Sequence, residues 1–458
     1  MSARRLTQTA LSLLTVALTL VLAAPAFAVT PPGASLWMHT LGSTPTADGF
    51  LDAARCPDGG VVTVGFTNYD ELVPQSFDAL ICKYGPDGAV QWSHGFDNGE
   101  TREDRFAGVA VDGAGNIYAA GWTDSALTGL DYLVVKYDKD GVQKWAMPID
   151  GGRSLVDSYR ALALDSSGRP CVTGYAKTAT ASQLFTVRLR PFDGDVIATS
   201  RYNGPAGTKY VDAWGIDRGD HGSLLIAGAI GNASVERALT VRLNSKLHLQ
   251  WARSWGPKGG DSTSGEAVKR GPNGTAFVLA GGDLPASGTD MYLLKYSAAG
   301  KRLFTKRYDS GAGADDTPWS LAVDGLGNVF TTGRASGATT SRAFVVKWST
   351  AGKRRWVRAY PSVAGDFSEY RDLLPDQKGG VYVAGQTRPA ATIDKNGVMR
   401  HIRSTGALAW SAVSVHSPGD DSFEALAFCG SHGVCAVGYY LVSFGPADQD
   451  AVIEKRQK

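Results

Sequence analysis

The hydrophobic residues of this chain fall into short runs that end in glycine and recur at a nearly constant interval. The runs read VVTVG, IYAAG, PCVTG, LLIAG, FVLAG, VFTTG, VYVAG and VCAVG, and their glycines are Gly65, Gly121, Gly174, Gly228, Gly281, Gly333, Gly385 and Gly438. Successive glycines lie 52 to 56 residues apart. A period of this length that fills a chain indicates one repeat architecture rather than several unrelated domains.

Each period carries four apolar segments separated by polar turns. In the second copy, segments 106–112 and 117–121 flank a Gly-Ala-Gly-Asn turn, and segment 132–137 precedes a turn that ends at Gly141. Short segments joined by Gly-, Asp- and Asn-rich turns indicate antiparallel strands, and no segment has sustained helical periodicity. The pattern therefore predicts an all-β fold, a single β-propeller of eight four-stranded blades.

The two ends of the chain predict how the ring closes. The last copy reaches its third strand at Lys455, with no room for a fourth. Trp37 precedes Gly65 by 28 residues, close to the 29 that separate Trp92 from Gly121. Residues 34–41 are therefore predicted to supply the outer strand of the last blade, within a propeller that spans residues 29–458.

The second copy also carries a family resemblance. FAGVAVDGAGNIYAAGWT followed by DYLVVKYDKDGVQKW is similar to the bacterial SBBP-type β-propeller repeat, and SLAVDGLGNVFTTG with residues 343–356 matches that pattern as well. The resemblance implies an exported propeller, but such repeats do not imply one function. The segment KYDKDGVQKW also resembles, more weakly, a motif of eight-bladed quinoprotein dehydrogenases. Those enzymes bind pyrroloquinoline quinone beside calcium, usually with adjacent cysteines, and this sequence has no adjacent cysteines.

The N-terminus predicts export. Arg4 and Arg5 precede an apolar stretch over residues 11–24 and the small-residue site Ala26-Phe27-Ala28, so we expect a signal peptide over residues 1–28 with cleavage near Ala28. The protein is then secreted or periplasmic, with no membrane span. Without those residues the basic side chains equal the 44 acidic ones, and this balance argues against nucleic acid as a partner.

Five cysteines and seven histidines bear on covalent and metal chemistry. Cys429 and Cys435 flank a short turn, which predicts a disulfide across a hairpin and leaves three free thiols. The histidines show no metal-ligand spacing, so no metal site is assigned. We also assign no catalytic residue.

An aspartate recurs just before the first strand of most copies, usually two residues ahead of an aromatic residue. These acids are predicted to ring one mouth of the central channel. They could bind a polar ligand or a hard cation, calcium being the metal that they would suit. Alternatively, each could cap the start of its strand by accepting hydrogen bonds from backbone N–H groups, and recurrence in nearly every blade favours this structural role. The acids are Asp48, Asp104, Asp157, Asp212, Asp316, Asp366 and Asp421, with Asp212 followed by Trp214 and Asp316 by Trp319.

A basic residue recurs 14 to 16 positions after the glycine in copies two to seven, but 18 after it in the first copy and 17 in the last. The longer loops of these two copies meet at the ring closure. Because loops on a rigid scaffold often carry function, they predict a binding site, although the closure could simply need longer connections. The candidate residues are Tyr69, Asp70, Glu71, Tyr439, Tyr440, Asp448 and Asp450.

Regular blades without inserted lids or a placed catalytic histidine favour a non-catalytic function. We expect a monomeric binding or scaffold module for a cell-envelope or extracellular protein or glycan, with no cofactor. The alternative is a hydrolase or lyase that acts on extracellular polysaccharide through the acidic channel mouth. A quinoprotein-like dehydrogenase is the more distant alternative, since only fold analogy supports it.

Overall fold

A computed structural model describes residues 31–42, 47–67, 77–99, 103–152, 156–260, 262–285, 287–311, 313–337, 340–360, 367–388, 394–415, 419–441 and 449–458. The predicted signal peptide, residues 1–28, lies outside these residues. Within them the regular structure is β-strand, apart from two short 3-10 turns at Asp220–Gly222 and Pro272–Gly274. No helix in this described part of the chain is long and apolar enough to cross a bilayer.

Four consecutive strands form each of the first seven blades. Blades one to four contain β2 (Gly49–Arg55), β3 (Val61–Thr67), β4 (Asp78–Tyr84) and β5 (Val90–Phe96); β6 (Asp104–Val111), β7 (Ile117–Ser125), β8 (Gly129–Tyr137) and β9 (Gln143–Ile149); β10 (Asp157–Leu164), β11 (Pro170–Lys177), β12 (Ser182–Leu189) and β13 (Val196–Tyr202); and β14 (Tyr210–Arg218), β15 (Leu224–Gly231), β16 (Glu236–Leu243) and β17 (Leu249–Trp255).

The remaining blades follow the same order. They contain β18 (Thr263–Arg270), β19 (Ala276–Leu284), β20 (Gly288–Tyr296) and β21 (Arg302–Tyr308); β22 (Asp315–Val323), β23 (Val329–Ser336), β24 (Ser341–Trp348) and β25 (Arg354–Tyr360); β26 (Phe367–Pro375), β27 (Val381–Arg388), β28 (Asn396–Ile402) and β29 (Leu408–Ser414); and, in blade eight, β30 (Asp421–Cys429), β31 (Gly433–Leu441), β32 (Gln449–Gln457) and β1 (Ser35–Leu41).

The eight sheets stand in a ring around one axis. The first strand of every blade contacts the first strands of both neighbouring blades, so β2, β6, β10, β14, β18, β22, β26 and β30 line the centre. Apolar side chains fill the space between blades; Val62 and Ile81 of blade one, for example, pack with Phe106 and Leu133 of blade two. Both faces of the second and third strands of a blade are buried in this way, so burial does not alternate along strands such as β3 and β4. The predicted fold class is confirmed.

The N-terminal strand closes the ring, as predicted. β1 pairs antiparallel with β32, and the register places Trp37 opposite Lys455 and Leu41 opposite Ala451. Strands from opposite ends of the chain therefore share one sheet, and the third strand of blade eight has no open edge.

A glycine–aromatic contact joins each blade to the next in seven of the eight cases. The glycine lies in the turn between the third and fourth strand positions, and its Cα faces the ring on the fourth strand of the preceding blade. The pairs are Gly33 with Trp410, Gly88 with Trp37, Gly141 with Trp92, Gly194 with Trp145, Gly300 with Trp251, Gly352 with Phe304 and Gly406 with Trp356. The spacing of glycine and tryptophan in the repeat thus reflects packing between blades.

The exception lies between blades three and four. Ala198 takes the place of the aromatic residue, since it pairs with Arg188 as Trp145 pairs with Lys136. Leu247 replaces the turn glycine, is 1% exposed and packs in one apolar cluster with Ala198. The larger turn side chain therefore fills the space that the smaller strand side chain leaves.

Candidate functional site: the mouth of the central channel

Every innermost strand carries a β-bulge at the same place. The pairing register with the second strand shifts there, between Phe106 and Gly108 in blade two and at the equivalent point in the other blades. A bulge turns one extra side chain out of the ladder. The eight bulged residues, here called the channel-mouth ring, are Leu51, Ala107, Arg160, Trp214, Glu266, Trp319, Arg371 and Glu424. Since the innermost strands surround the axis, these partly or fully exposed residues stand around one mouth of the channel.

Two tryptophan–arginine pairs dominate this ring. The Arg160 guanidinium carbon lies 4.2 Å from the ring centroid of Trp214 in the next blade. The Arg371 guanidinium carbon lies 4.3 Å from the centroid of Trp319 in the preceding blade. Both contacts have cation–π geometry. Trp214 is also 39% exposed, a large aromatic surface left open on a rigid scaffold.

Carboxylates hold both arginines in place. Arg160 Nη2 lies 3.1 Å from Asp212 Oδ2, and Arg371 Nη2 lies 2.7 Å from Glu369 Oε1. Burial raises the pKa of Asp212, while Arg160 opposes that rise. With a carboxylate on one side and an indole on the other, each guanidinium is oriented before any ligand arrives.

The rest of the ring divides into a polar and an apolar arc. Glu266 accepts a hydrogen bond from Ser264, and burial raises its pKa. Glu424 Oε1 accepts one from Ser422 Oγ at 2.6 Å. Leu51 and Ala107 supply no polar group, so blades three to eight carry the donors, acceptors and aromatic rings.

Two aspartates next to the bulges connect neighbouring blades. Val109 N donates to Asp52 Oδ2 at 2.9 Å, and Leu426 N donates to Asp372 Oδ2 at 2.9 Å. In both cases the donor belongs to the following blade. Burial raises the pKa of Asp52 to about 7, the charge of Asp372 adds to the rise, and Lys269 opposes it.

Most of the aspartates predicted at the channel mouth are buried at the start of the innermost strands. Asp48, Asp104, Asp157, Asp316 and Asp421 are at most 2% exposed. Asp104, Asp157 and Asp316 each accept a hydrogen bond from the backbone N–H six residues earlier, from Asn98 at 3.0 Å, from Gly151, and from Ser310 at 2.7 Å. Burial raises the pKa of each of these three to about 6. Their buried carboxylates thus hold the loops that connect blades.

The aspartates of blades four and seven differ from this pattern. In blade four, Val211 occupies the buried position, and Asp212 lies one residue later, where it binds Arg160. Trp214 and, in blade six, Trp319 are bulged residues and not the buried aromatic residue of the repeat, which corrects their grouping with the other pairs. In blade seven, Ser368 occupies the buried position, while Asp366 lies outside the described residues.

Two groups of three carboxylates lie between blades. Asp131, Asp150 and Asp157 each place one oxygen within 4.8 Å of the other two, and so do Asp290, Asp309 and Asp316. In the second group, Arg307 Nη2 lies 2.7 Å from Asp290 and 3.0 Å from Asp309. In the first group, no lysine or arginine among the described residues forms an ion pair with the carboxylates. The first group is therefore the better oxygen-ligand set for a calcium ion.

The candidate loops at the ring closure are described only in part. Tyr69, Asp70, Glu71 and Asp448 lie outside the described residues. Tyr440 Oη donates to Asp450 Oδ2 at 2.9 Å, and Tyr439 lies beside Tyr440 at the end of β31. A binding site in these loops stays a prediction.

The structure joins Cys429 and Cys435 in a disulfide across the β30–β31 hairpin, with Cα atoms 5.9 Å apart. Cys56, Cys82 and Cys171 are buried free thiols. Burial raises the pKa of all three, so they suit packing better than nucleophilic chemistry.

Comparison with known proteins gives a repeat family and a fold. The Beta-propeller repeat family (SBBP) matches residues 104–127 and 302–338. No curated protein matches the sequence. Among solved structures, a protein from Lactobacillus plantarum is similar with a TM-score of 0.46 and 12% identity, covering 77% of this chain and 96% of that one. The polysaccharide lyase Uly1 has a TM-score of 0.46 and 9% identity, covering 93% of this chain and 100% of that one.

The propeller domain of the Trilobed protease from Pyrococcus furiosus has a TM-score of 0.43 and 7% identity, covering 77% of this chain and 94% of that one. Similarities at this level carry no information on function. The matched repeats occupy blade two and the junction of blades five and six, and the same four-stranded unit recurs in all eight blades. The chain is therefore an eight-bladed β-propeller that carries SBBP-type repeats.

Proposed function

We propose that this chain is an exported, non-catalytic binding module that holds an extracellular or cell-envelope glycan at the channel-mouth ring. The observation that carries the proposal is the pair of indoles, Trp214 and Trp319, each stacked on an arginine that a carboxylate fixes. An open indole offers a flat apolar surface for the C–H face of a sugar ring. A neighbouring guanidinium and carboxylate can donate to and accept from the sugar hydroxyls.

The charges of the site favour a neutral glycan. Arg160 and Arg371 are the two cations of the channel-mouth ring. Four carboxylates lie on the same innermost strands, namely Asp212, Glu266, Glu369 and Glu424, and Arg334 Nη1 lies 3.3 Å from Glu369 Oε2 as a further cation. Because acidic and basic groups are mixed at the site, a polymer that carries one sign of charge throughout, such as one rich in uronic acid, meets like charges there as well as opposite ones. Neutral or N-acetylated sugars fit such a mixed network of donors and acceptors.

The polysaccharide hydrolase or lyase alternative depended on an acidic channel mouth. Two of the acids predicted there, Asp104 and Asp157, are buried against the loops that they hold. A carboxylate in that position contacts backbone N–H groups instead of solvent, so this geometry does not support the alternative. No feature of the described residues favours a quinoprotein-like dehydrogenase over a binding module.

A glycan array followed by calorimetry tests the proposal. We expect the mature protein to bind a neutral or N-acetylated polysaccharide, and Trp214→Ala and Trp319→Ala each to weaken that binding by about tenfold or more. Trp255→Ala is the matched control, because Trp255 lies on β17, the outermost strand of the blade that carries Trp214. An array without binding, or equal losses in all three variants, would contradict the proposal.

A further inference from the structure

A polar pocket of about 640 Å³ lies in blade three, on the same face of the ring as the channel mouth. It is lined by residues 151, 152, 178–183, 201, 203 and 208. The strand pairing places these segments at one edge of the sheet, since Asp157 pairs near the end of β11 and Lys177 pairs with Ser182 at the start of β12. Asp157 begins β10, the strand that carries Arg160 of the channel-mouth ring. The pocket and the ring therefore open on the same side.

Hydrogen bonds fix the wall of this pocket. Thr178 Oγ1 donates to Ala181 O at 2.8 Å and accepts from Ala181 N at 3.0 Å, which closes the β11–β12 turn. Ser182 N donates to Lys209 O at 3.1 Å and joins this turn to the segment that leads into β14. Because the wall is already ordered, little conformational entropy is lost when a ligand binds there.

Arg201 is held in this pocket much as Arg160 is held at the channel mouth. Its guanidinium carbon lies 4.1 Å from the ring centroid of Phe185, and its Nη2 donates to the carbonyl oxygen of Gly151. Within the described part of the chain this is its one side-chain hydrogen bond, so further N–H groups of the guanidinium are available to a ligand. Gln183 and Asn203 add two side-chain amides to the same lining.

The charges around the pocket favour a neutral ligand. Among the described residues that line it, Arg201 is the one ionised group. A carboxylate cluster lies behind it, because Gly151 N donates to Asp157 Oδ2, and Asp131 and Asp150 each place an oxygen near that carboxylate. These acids disfavour an anionic ligand. Sugar hydroxyls and N-acetyl groups can instead donate to and accept from the amides, hydroxyls and guanidinium of the lining.

The pocket lies within reach of a molecule bound at the channel mouth. Thr208 lines the pocket, and Trp214 follows it by six residues, which span at most about 22 Å when fully extended. Nearer the axis, the Arg160 guanidinium carbon lies 5.7 Å from the ring centroid of Tyr175, close to the end of β11. One linear molecule of several sugar units can therefore contact both places.

The equivalent gap between blades five and six is built differently. Its volume is about 490 Å³, and alanines at 314, 335 and 359 contribute to its lining. Ala359 takes the place of Arg201, since it pairs with Phe344 as Arg201 pairs with Phe185. The ring geometry thus produces a gap at both junctions, but the stacked arginine belongs to blade three.

We propose that the blade-three pocket is a second subsite for the neutral glycan, an inference that rests on the proposed function. Arg201, Gln183 and Asn203 form hydrogen bonds with hydroxyl or N-acetyl groups of the sugar units that extend beyond Trp214. The glycan chain then runs from the channel mouth across blade three and not across blade six. The protein accordingly recognises a stretch of several units instead of a single sugar.

Calorimetry with short and long oligosaccharides tests the subsite. The probes are chitobiose and chitohexaose for N-acetylated sugars, and cellobiose and cellohexaose for neutral ones. We expect the mature protein to bind one hexamer about tenfold more tightly than the matching dimer. Arg201→Ala and Asn203→Ala should each remove most of that gain and leave the affinity for the dimer unchanged. Asn203 is exposed and forms no side-chain hydrogen bond with the described residues, so its variant tests the pocket without disturbing the fold.

The matched control is Arg342→Ala, because Arg342 lines the gap between blades five and six. It should change neither affinity, whereas Trp214→Ala should weaken the binding of dimer and hexamer alike. Equal affinities for dimer and hexamer, or full hexamer affinity in both Arg201→Ala and Asn203→Ala, would overturn the subsite. So would a loss in Arg342→Ala as large as that in Arg201→Ala.

These outcomes leave the glycan site itself in place as long as the binding of the dimer depends on Trp214. Binding that Trp214→Ala does not change would instead contradict the proposed function, and the subsite with it. Should neither family of sugars bind, both proposals fall.

Discussion

Gly141 lies directly against the indole of Trp92 in the preceding blade: a Cβ atom on Gly141 would stand 2.7 Å from Trp92 Cδ2. The residue also has a φ of +87°, which side chains other than glycine rarely adopt. Two separate constraints therefore require glycine in this turn. Because the same contact recurs around the ring, it is one of the features that fix the distance between blades.

We expect Gly141→Ala to reduce the free energy of unfolding by about 2–4 kcal/mol, the sum of backbone strain and overpacking. Gly168→Ala is the matched control. Gly168 has a φ of +72° and no atom within 4 Å of its would-be Cβ, so it isolates the backbone effect of about 1 kcal/mol. Urea unfolding measures both variants. Equal losses would mean that the contact with Trp92 contributes nothing.

Between blades three and four, a small strand residue, Ala198, meets a large turn residue, Leu247, the reverse of the sizes at the other junctions. This reversal predicts a compensating pair of mutations. Ala198→Trp alone should destabilise the protein by about 1–3 kcal/mol, since Leu247 occupies the space. Adding Leu247→Gly should restore most of that loss by re-creating the contact of the other blades. A double-mutant cycle measures the coupling energy, which we expect to exceed about 1 kcal/mol. Strictly additive effects would show that the two positions do not share one space.

Deleting residues 29–41 removes β1 and exposes the edge of β32. We expect the truncated protein to lose cooperative melting or to aggregate through that edge. A synthetic peptide of residues 32–42 should restore melting in proportion to its concentration, because it can pair with β32 again. Calorimetry with size-exclusion chromatography checks both. A truncated monomer that melts within about two degrees of the mature chain would contradict the closure.

Stability should fall as the pH rises from 5 to 8. Burial raises the pKa of Asp52 to about 7 and those of Asp104, Asp157 and Asp316 to about 6. The folded chain then binds more protons than the unfolded chain in this interval, so deprotonation costs stability as the pH rises through these folded pKa values. Urea midpoints at several pH values measure the slope, and Asp52→Asn should flatten it. A midpoint that rises over the interval would contradict these pKa shifts.

The repeat made the fold predictable from sequence. The eight copies of the apolar run indicate eight blades, and the offset of Trp37 from Gly65 predicts the closing strand. Both features rest on the hydrophobic pattern of whole strands, and packing between blades constrains that pattern strongly. The side chain that a bulge displaces is a single residue of any type, as Leu51, Arg160 and Trp214 show, and only the pairing register reveals it.

Asp212 differs from the buried aspartates by one position. It precedes Gly228 by 16 residues, whereas Asp104 precedes Gly121 by 17, and the strand pairing accordingly places Val211 at the buried position. A signal for the channel-mouth ring does exist in the sequence. The residue directly after the buried aromatic residue varies in chemistry from copy to copy, from Leu51 and Ala107 to Arg160, Arg371 and Glu424. Comparing the copies with one another at that position would have identified Arg160, Arg371 and Glu424.

Hydroxyl-radical footprinting of the mature protein, with and without the polysaccharide that it binds, tests the central claim most directly. The method reports the oxidation of each aromatic side chain without any mutation. The account predicts that Trp214 and Trp319 become protected when the glycan binds, whereas Trp255 and Tyr440 react as before. Protection confined to Tyr439 and Tyr440, with Trp214 unchanged, would contradict a site at the channel mouth and place it at the ring closure.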